Sequence, residues 1–208
     1  MPSQDPTDAV PAPADGRTVH SSARRGPADS ALGTRNLMTI AALAVVGMIL
    51  LLPLNYLAPA AVADPRTLFI GCSIMGLWVV PYLLPATVVR RPGAVMIAAL
   101  IMGIISVFTT PAGPSAIIGN LLGGAFIEIP LALMLYRAWA WWSYLIGAAC
   151  FGLINGLLYI TVLGTSGGVG TSAFLLAVSV GSALAGGGLT ILLTRLLHQA
   201  GVAIDHRA

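Results

Sequence analysis

Long apolar stretches separated by short polar segments dominate the chain from residue 36 onward. Their predicted boundaries are 36–57, 68–89, 92–109, 114–137, 141–163 and 171–197. Because an α-helix rises about 1.5 Å per residue, each stretch can cross a hydrocarbon layer of about 30 Å, the third only just. The pattern therefore predicts an all-α membrane protein with six transmembrane helices over residues 36–198.

Polar segments flank this helical region at both ends. Residues 1–35 are rich in Pro, Ala, Asp, Ser and Arg and have too little apolar content to form a core, which predicts a disordered tail. Residues 199–208 form a short second tail. Across the 208 residues only 8% are charged, and the mean hydropathy is +0.92, which is typical of a membrane protein.

The arginines predict how the helices are oriented. All ten basic residues are arginine, and they lie in the termini and the short loops. If six helices alternate across the membrane, nine arginines fall on one side and only Arg66 on the other. The positive-inside rule then places both termini in the cytoplasm of a multi-pass plasma-membrane protein. Dispersed arginines of this kind do not form a nucleic-acid-binding surface.

An alternative interpretation of the first stretch is a secretory signal. Ala61-Val62-Ala63 before Asp64 resembles a signal-peptidase site, and Arg24-Arg25 lies upstream. A signal peptide has an apolar core of about 7–15 residues, and stretch 36–57 is longer. The length favours a helix of the mature protein.

Glu128 is the one glutamate of the chain, and it lies inside the apolar stretch from Ser115 to Tyr136. A charge at the bilayer centre costs roughly 2.5–3.5 kcal/mol, so such a residue usually faces a bundle interior or a wet cavity. Asn120, Gly124 and Glu128 recur every four residues and share one stripe of the helix. We predict a polar cavity wall with Glu128 at its floor. The alternative is a packing seam whose glutamate is protonated or paired with another helix.

Two other stretches carry candidate ligands. Asn155 and Tyr159, four residues apart, share a helix face and could hydrogen-bond a polar ring, or equally hold helices together. Trp78 could stack on an aromatic ligand, although a packed or lipid-facing indole explains it as well. Pro81 and Pro85 in the same stretch predict a kink.

Several chemistries have no motif in the sequence. There is no HExxH, no His/Cys cluster and no Ser/His pairing, and the chain has no lysine for a phosphate-binding P-loop. We therefore expect no catalytic residues, no metal site and no cofactor. ATP hydrolysis is not expected of this chain.

Over roughly residues 36–203 the chain resembles the YkoE-like substrate-binding (S) subunits of energy-coupling factor (ECF) transporters. The resemblance rests on the order and spacing of four features. They are Arg90-Arg91-Pro92-Gly93-Ala94, Pro111-Ala112-Gly113-Pro114, Glu128 fourteen residues later, and the end of the last stretch from Ala183-Leu184 through Gly186 to Ala200-Gly201-Val202.

The resemblance implies a non-enzymatic subunit that captures a vitamin or its precursor, for YkoE-like members thiamine or its hydroxymethylpyrimidine moiety. It implies three partners, a transmembrane coupling subunit and two ATPase subunits. By position Glu128 matches the family glutamate, which would contact a cationic or amino-pyrimidine group. The third stretch here has no acidic residue, and Gly123 occupies the place of a family glutamine, so the resemblance implies a less acidic pocket than usual.

The leading prediction is thus the substrate-capture subunit of an ATP-driven importer. Glu128 would anchor the substrate, Asn120, Asn155 and Tyr159 would orient it by hydrogen bonds, and Trp78 would stack on it. One alternative is a stand-alone secondary transporter with Glu128 as its proton or cation site, although no three-plus-three repeat of the kind common in such carriers is apparent. The other alternative is a structural membrane scaffold.

Overall fold

The computed structural model describes residues 33–61, 65–137, 139–162 and 168–201. The predicted tails, the alternative cleavage site and parts of two loops lie mostly outside these ranges. The described residues form seven helices and no strand: α1 Thr34–Ala61, α2 Pro65–Ser73, α3 Met75–Val89, α4 Ala94–Thr109, α5 Ser115–Leu133, α6 Trp141–Val162 and α7 Gly168–Gln199.

The helices confirm the all-helical membrane class. Five stretches are long and apolar enough to cross a membrane: Thr34–Leu57, Thr67–Val89, Ser115–Leu133, Trp141–Thr161 and Gly168–Gln199. The second combines α2 and α3. The remaining predicted span, the third at 92–109, corresponds to α4, which is apolar but has only 16 residues. The number of six spans and the orientation of the termini stay predictions.

Helix α5 ends four residues before the predicted boundary at 137. The Leu135 N–H donates to the Ala132 carbonyl and the Tyr136 N–H to the Leu131 carbonyl, which is the Schellman pattern of a helix C-terminus. Leu135 and Tyr136 have φ of 53° and 51°, so the chain leaves the helix in the left-handed region. The side chain of Tyr136 is thereby free to return toward the last turns of α5.

The predicted second span is interrupted at Ile74 and not at its prolines, Pro81 and Pro85, which lie inside α3. The Ser182 hydroxyl of α7 donates to the Ser73 carbonyl and accepts from the Gly76 N–H at 2.9 Å. One hydroxyl therefore replaces backbone bonds that the interruption removes. In an apolar medium such unpaired groups would cost several kcal/mol each.

The backbones of α3 and α7 touch at this interruption because both helices carry glycine there. A Cβ added to Gly76 would overlap the Ser182 carbonyl, and one added to Gly186 would overlap the backbone of Gly76. Small residues allow this close approach of two helices in a membrane protein.

The helix ends define two faces of the bundle. One face, the arginine face, contains the start of α1, α4 and α6 and the end of α3, α5 and α7. It carries every arginine whose side chain is described: Arg35, Arg90, Arg91, Arg137 and Arg195. The opposite face, the loop face, contains the 110–114 turn. There the Tyr56 hydroxyl of α1 donates to the Thr109 carbonyl at 2.9 Å.

We predict that Gly76→Ala destabilises the protein, because its methyl group would enter the α7 backbone. Overpacking of this kind costs about 1–3 kcal/mol, which should lower the thermal denaturation midpoint in detergent. Gly188→Ala is the matched control, since a Cβ at Gly188 meets no atom within 4 Å. Equal effects of the two substitutions would contradict the close α3–α7 contact.

Candidate substrate-binding site

A cavity of about 740 Å³ lies between α3, α5 and α6 and reaches the loop face. This volume is within the usual range for small-molecule sites, about 300–1,000 Å³. Its aromatic lining residues are Trp78, Tyr82, Phe126, Phe151 and Tyr159. Its polar lining residues include Asn55, Thr110, Ser115, Asn120 and Asn155.

Four of the five predicted ligand residues, Trp78, Asn120, Asn155 and Tyr159, line this one cavity. Two of them keep hydrogen-bonding capacity for a ligand. The Asn155 amide nitrogen donates to the Phe151 carbonyl at 2.9 Å, which leaves its oxygen as an acceptor. No described residue hydrogen-bonds to the hydroxyl of Tyr159.

Asn120 is already held by its neighbours. Its oxygen accepts from the Tyr82 hydroxyl at 2.8 Å, and its amide nitrogen donates to the Ala116 carbonyl at 2.8 Å and, more weakly, to the Ser106 hydroxyl at 3.4 Å. With only 6% of its surface exposed, Asn120 fixes the Tyr82 ring in the cavity wall. Gly123 permits this position, because a Cβ there would lie 3.1 Å from that ring.

Glu128, the fifth predicted residue, is not in the lining of this cavity. It lies on the arginine face, is 7% exposed, and accepts from the Gly93 N–H at 2.8 Å and the Tyr136 hydroxyl at 2.7 Å through the same oxygen. The expected position at the cavity floor is therefore corrected. Through these two hydrogen bonds, Glu128 links the loop before α4 to the turn after α5.

Each of the two hydrogen bonds to Glu128 has a physical reason to be favourable. Gly93 is the N-cap of α4, where the positive end of the helix dipole favours a carboxylate. Burial, the hydrogen bond to Glu128 and its negative charge raise the pKa of Tyr136 above its ordinary value. The phenol therefore remains a donor to the carboxylate at neutral pH.

The stripe containing Glu128 is mostly a packing seam. A Cβ on Gly124 would lie 2.6 Å from the Ala99 side chain of α4, and Asn120 reaches Ser106 of the same helix. Only Asn120 also borders the cavity. The alternative interpretation of the stripe, contact with a neighbouring helix, thus describes its geometry better than a continuous polar wall.

Two aromatic lining residues were not singled out from the sequence, Phe126 and Phe151. The sequence could have identified Phe151 as a lining residue, because it lies four residues before Asn155, which in turn lies four residues before Tyr159. Its ring centroid lies 5.9 Å from that of Tyr82 across the cavity wall. Phe126 lies among apolar residues without a polar neighbour in register, so no periodic signal marks it.

The described residues of the lining include no acidic or basic side chain, and among the described residues no group of three or more His, Cys, Asp or Glu could hold a metal ion. Cys72 and Cys150 are free thiols. The cavity is thus an uncharged chamber of rings, amides and hydroxyls. It can stack on a flat ligand and exchange hydrogen bonds with its edge.

The fold is that of a transporter S component. A solved structure described as "Crystal structure of an S-component of ECF transporter" superposes with a TM-score of 0.71 and 17% sequence identity, covering 81% of this chain and 87% of that chain. No curated protein sequence matches the chain.

Residues 35–154, more than half of the chain, match the family described as "ABC-type cobalt transport system, permease component". The chain belongs to this family, whose members are transport components and not enzymes. The family and the fold agree with the S-subunit assignment, while the YkoE-like subtype stays a prediction.

We predict that Glu128→Ala lowers thermal stability and leaves ligand affinity in the cavity unchanged. The substitution removes both hydrogen bonds to a buried carboxylate, a loss of about 1–3 kcal/mol. Tyr136→Phe removes one of the two and should have a smaller effect. Unaltered stability with lost ligand affinity would instead make Glu128 a ligand, as the sequence first suggested.

Proposed function

We propose that the chain is the substrate-capture S component of an ECF-type ABC importer. The observation that carries the proposal is the cavity between α3, α5 and α6, with its unpaired Asn155 oxygen and Tyr159 hydroxyl, in a chain with the S-component fold. Capture from one side requires a chamber that opens on that side. A transmembrane coupling subunit and two ATPase subunits would supply the energy that shifts the chain between an outward and an inward state.

We further propose six spans with both termini in the cytoplasm. Under the positive-inside rule the arginine face is cytoplasmic, and the cavity then opens to the exterior. Helix α4, at 16 residues, would be the third of the six spans. Its length is just below the usual minimum of about 17 residues, which local thinning of the bilayer or snorkelling of flanking side chains accommodates.

The lining favours an uncharged ring-shaped substrate within the predicted vitamin-precursor class. A permanently cationic molecule such as thiamine would meet no counter-charge among the described lining residues, because Glu128 is engaged elsewhere. Hydroxymethylpyrimidine is neutral, is flat enough to stack on Trp78, and offers an amine and a hydroxyl to Asn155 and Tyr159. Aromatic stacking contributes about 0.5–1.5 kcal/mol beyond area burial.

We predict that purified protein binds hydroxymethylpyrimidine more tightly than thiamine, and more tightly than Co²⁺, the ion in the family description. Asn155→Ala and Tyr159→Phe should each weaken binding about three- to ten-fold, the loss of one hydrogen bond. Equilibrium dialysis of the radiolabelled ligands measures this directly.

Thr161→Val is the matched control for these substitutions. Its hydroxyl donates to the Leu158 carbonyl of its own helix, and it lies outside the cavity lining. If Thr161→Val weakens binding as much as Asn155→Ala, the residues of the cavity are not the ligands.

Transport assays separate this function from a secondary carrier. For an S component, uptake should require co-expressed ATPase subunits and should persist, while ATP lasts, after an uncoupler collapses the proton gradient. Uptake without ATPase subunits that stops with the uncoupler would support the carrier. Binding and uptake unaffected by every cavity substitution would support a structural scaffold.

A further inference from the structure

A second, smaller pocket of about 240 Å³ lies on the arginine face, between the end of α3, the start of α6 and the end of α7. Arg90, Arg195 and His198 line it together with Trp139, Trp141 and Tyr144. It shares no lining residue with the large cavity. The proposed transport function does not use it.

The cations of this pocket have no counter-charge in the described part of the chain. Glu128 is the one acidic residue described there, and the Gly93 N–H and the Tyr136 hydroxyl engage it. No described carboxylate lies within 4.0 Å of Arg90 or Arg195. The Arg90 Nε makes one long hydrogen bond, 3.4 Å to the Thr87 carbonyl, so most of its donors are available.

The backbone around Arg90 holds the residue at the pocket. Arg90 is the C-cap of α3, with φ of 50°, and its N–H donates to the Ala86 carbonyl. A left-handed conformation is uncommon for a residue other than glycine. It ends the helix where the guanidinium borders the pocket, and Arg195 borders it from α7.

A buried hydroxyl without a partner supplies a second, independent observation. Tyr144 lines the pocket, is 4% exposed, and its hydroxyl has no hydrogen-bond partner in the described structure. The Arg90 guanidinium lies beside this hydroxyl, but it carries only donors and cannot accept the phenol proton of Tyr144. Buried polar groups are nearly always satisfied. Ser143 also has a buried hydroxyl without a described partner, but only Tyr144 lines this pocket, where an external acceptor can reach it.

We propose that this pocket binds a phosphate group. The two guanidinium groups present forked donors that match phosphate oxygens, and the Tyr144 hydroxyl adds a third donor at depth. Trp139 and Trp141 are placed as interfacial indoles usually are, beside lipid headgroups. Basic pockets between transmembrane helices bind anionic headgroups in this manner. The phosphate belongs either to an anionic lipid or to a soluble phosphate compound.

The first test counts phosphatidylglycerol molecules retained by the detergent-purified chain in native mass spectrometry, with phosphatidylcholine as competitor. The Arg90→Gln/Arg195→Gln double variant should lose roughly 25-fold in affinity, about five-fold for each arginine near a membrane surface. Arg91→Gln/Arg137→Gln is the matched control. It removes the same charge from the same face, but neither residue lines the pocket.

A parallel arm replaces the lipid with inorganic phosphate and reads the thermal denaturation midpoint. Stabilisation of wild type and of the control variant, but not of the pocket variant, assigns the site to a soluble phosphate. Selective retention of phosphatidylglycerol assigns it to a lipid. Equal responses of the two double variants in both arms would overturn the site, because the binding would then reflect only the charge of the face.

The Tyr144→Phe variant tests whether the buried hydroxyl binds the phosphate or is only an unpaired group of the fold. If the hydroxyl binds phosphate, the variant should bind about five-fold more weakly, while the lipid-free protein should be as stable as wild type or more so, since an unpaired buried hydroxyl is removed. Unchanged phosphate and lipid binding in Tyr144→Phe would remove the buried donor from the proposal and contradict the site as described.

Discussion

Pairing of buried polar groups organises this apolar bundle, and among the described residues only the hydroxyls of Ser143 and Tyr144 are fully buried without a hydrogen-bond partner. Water cannot satisfy such groups in hydrocarbon, so each unpaired one costs several kcal/mol. The Ser182 hydroxyl closes the interruption between α2 and α3, and the Ser179 hydroxyl donates to the Gly152 carbonyl of α6 at 2.7 Å. Asn120 and Glu128 are engaged in the same way. The groups without a described partner that also line a cavity are therefore the candidates for ligand binding.

Those unpaired groups divide between the two faces of the bundle. Asn155 and Tyr159 border an uncharged chamber at the loop face, suited to a neutral ring. Tyr144 borders a basic pocket at the arginine face, suited to phosphate. The close glycine contacts of α3 with α7 and of α4 with α5 hold the helices around these spaces.

Hydropathy alone located the helices well, because burial in a membrane makes long apolar runs the dominant signal. The predicted stretch 141–163 corresponds to the helix Trp141–Val162, and the predicted stretch 36–57 corresponds to the helix Thr34–Ala61. The interruption at Ile74 escaped prediction because its partner, Ser182, lies more than 100 residues away in sequence. Pro81 and Pro85 lie inside the continuous helix α3, and the kink that they predict stays a prediction.

The candidate site was predicted in part, and its main error has a geometric cause. Residue types at helical spacing correctly grouped Asn155 with Tyr159, which share a face and a cavity. Asn120 and Glu128 also follow a spacing of four, but eight residues add about 12 Å of rise and about 80° of rotation. That separation takes Glu128 out of the cavity and onto the start of α4. A buried charge signals a partner, and sequence alone cannot tell a backbone N–H from a substrate.

The central claim is that the space between α3, α5 and α6 holds the transported molecule. Gly119 lines it, and a Cβ there meets no atom within 4 Å, so we expect Gly119→Phe to place a ring in the chamber. Gly181→Phe is equally unhindered but lies outside the lining. Mass spectrometry of small molecules released from the purified proteins should find a compound with wild type and Gly181→Phe and lose it with Gly119→Phe. The same compound at equal levels in all three would contradict the account.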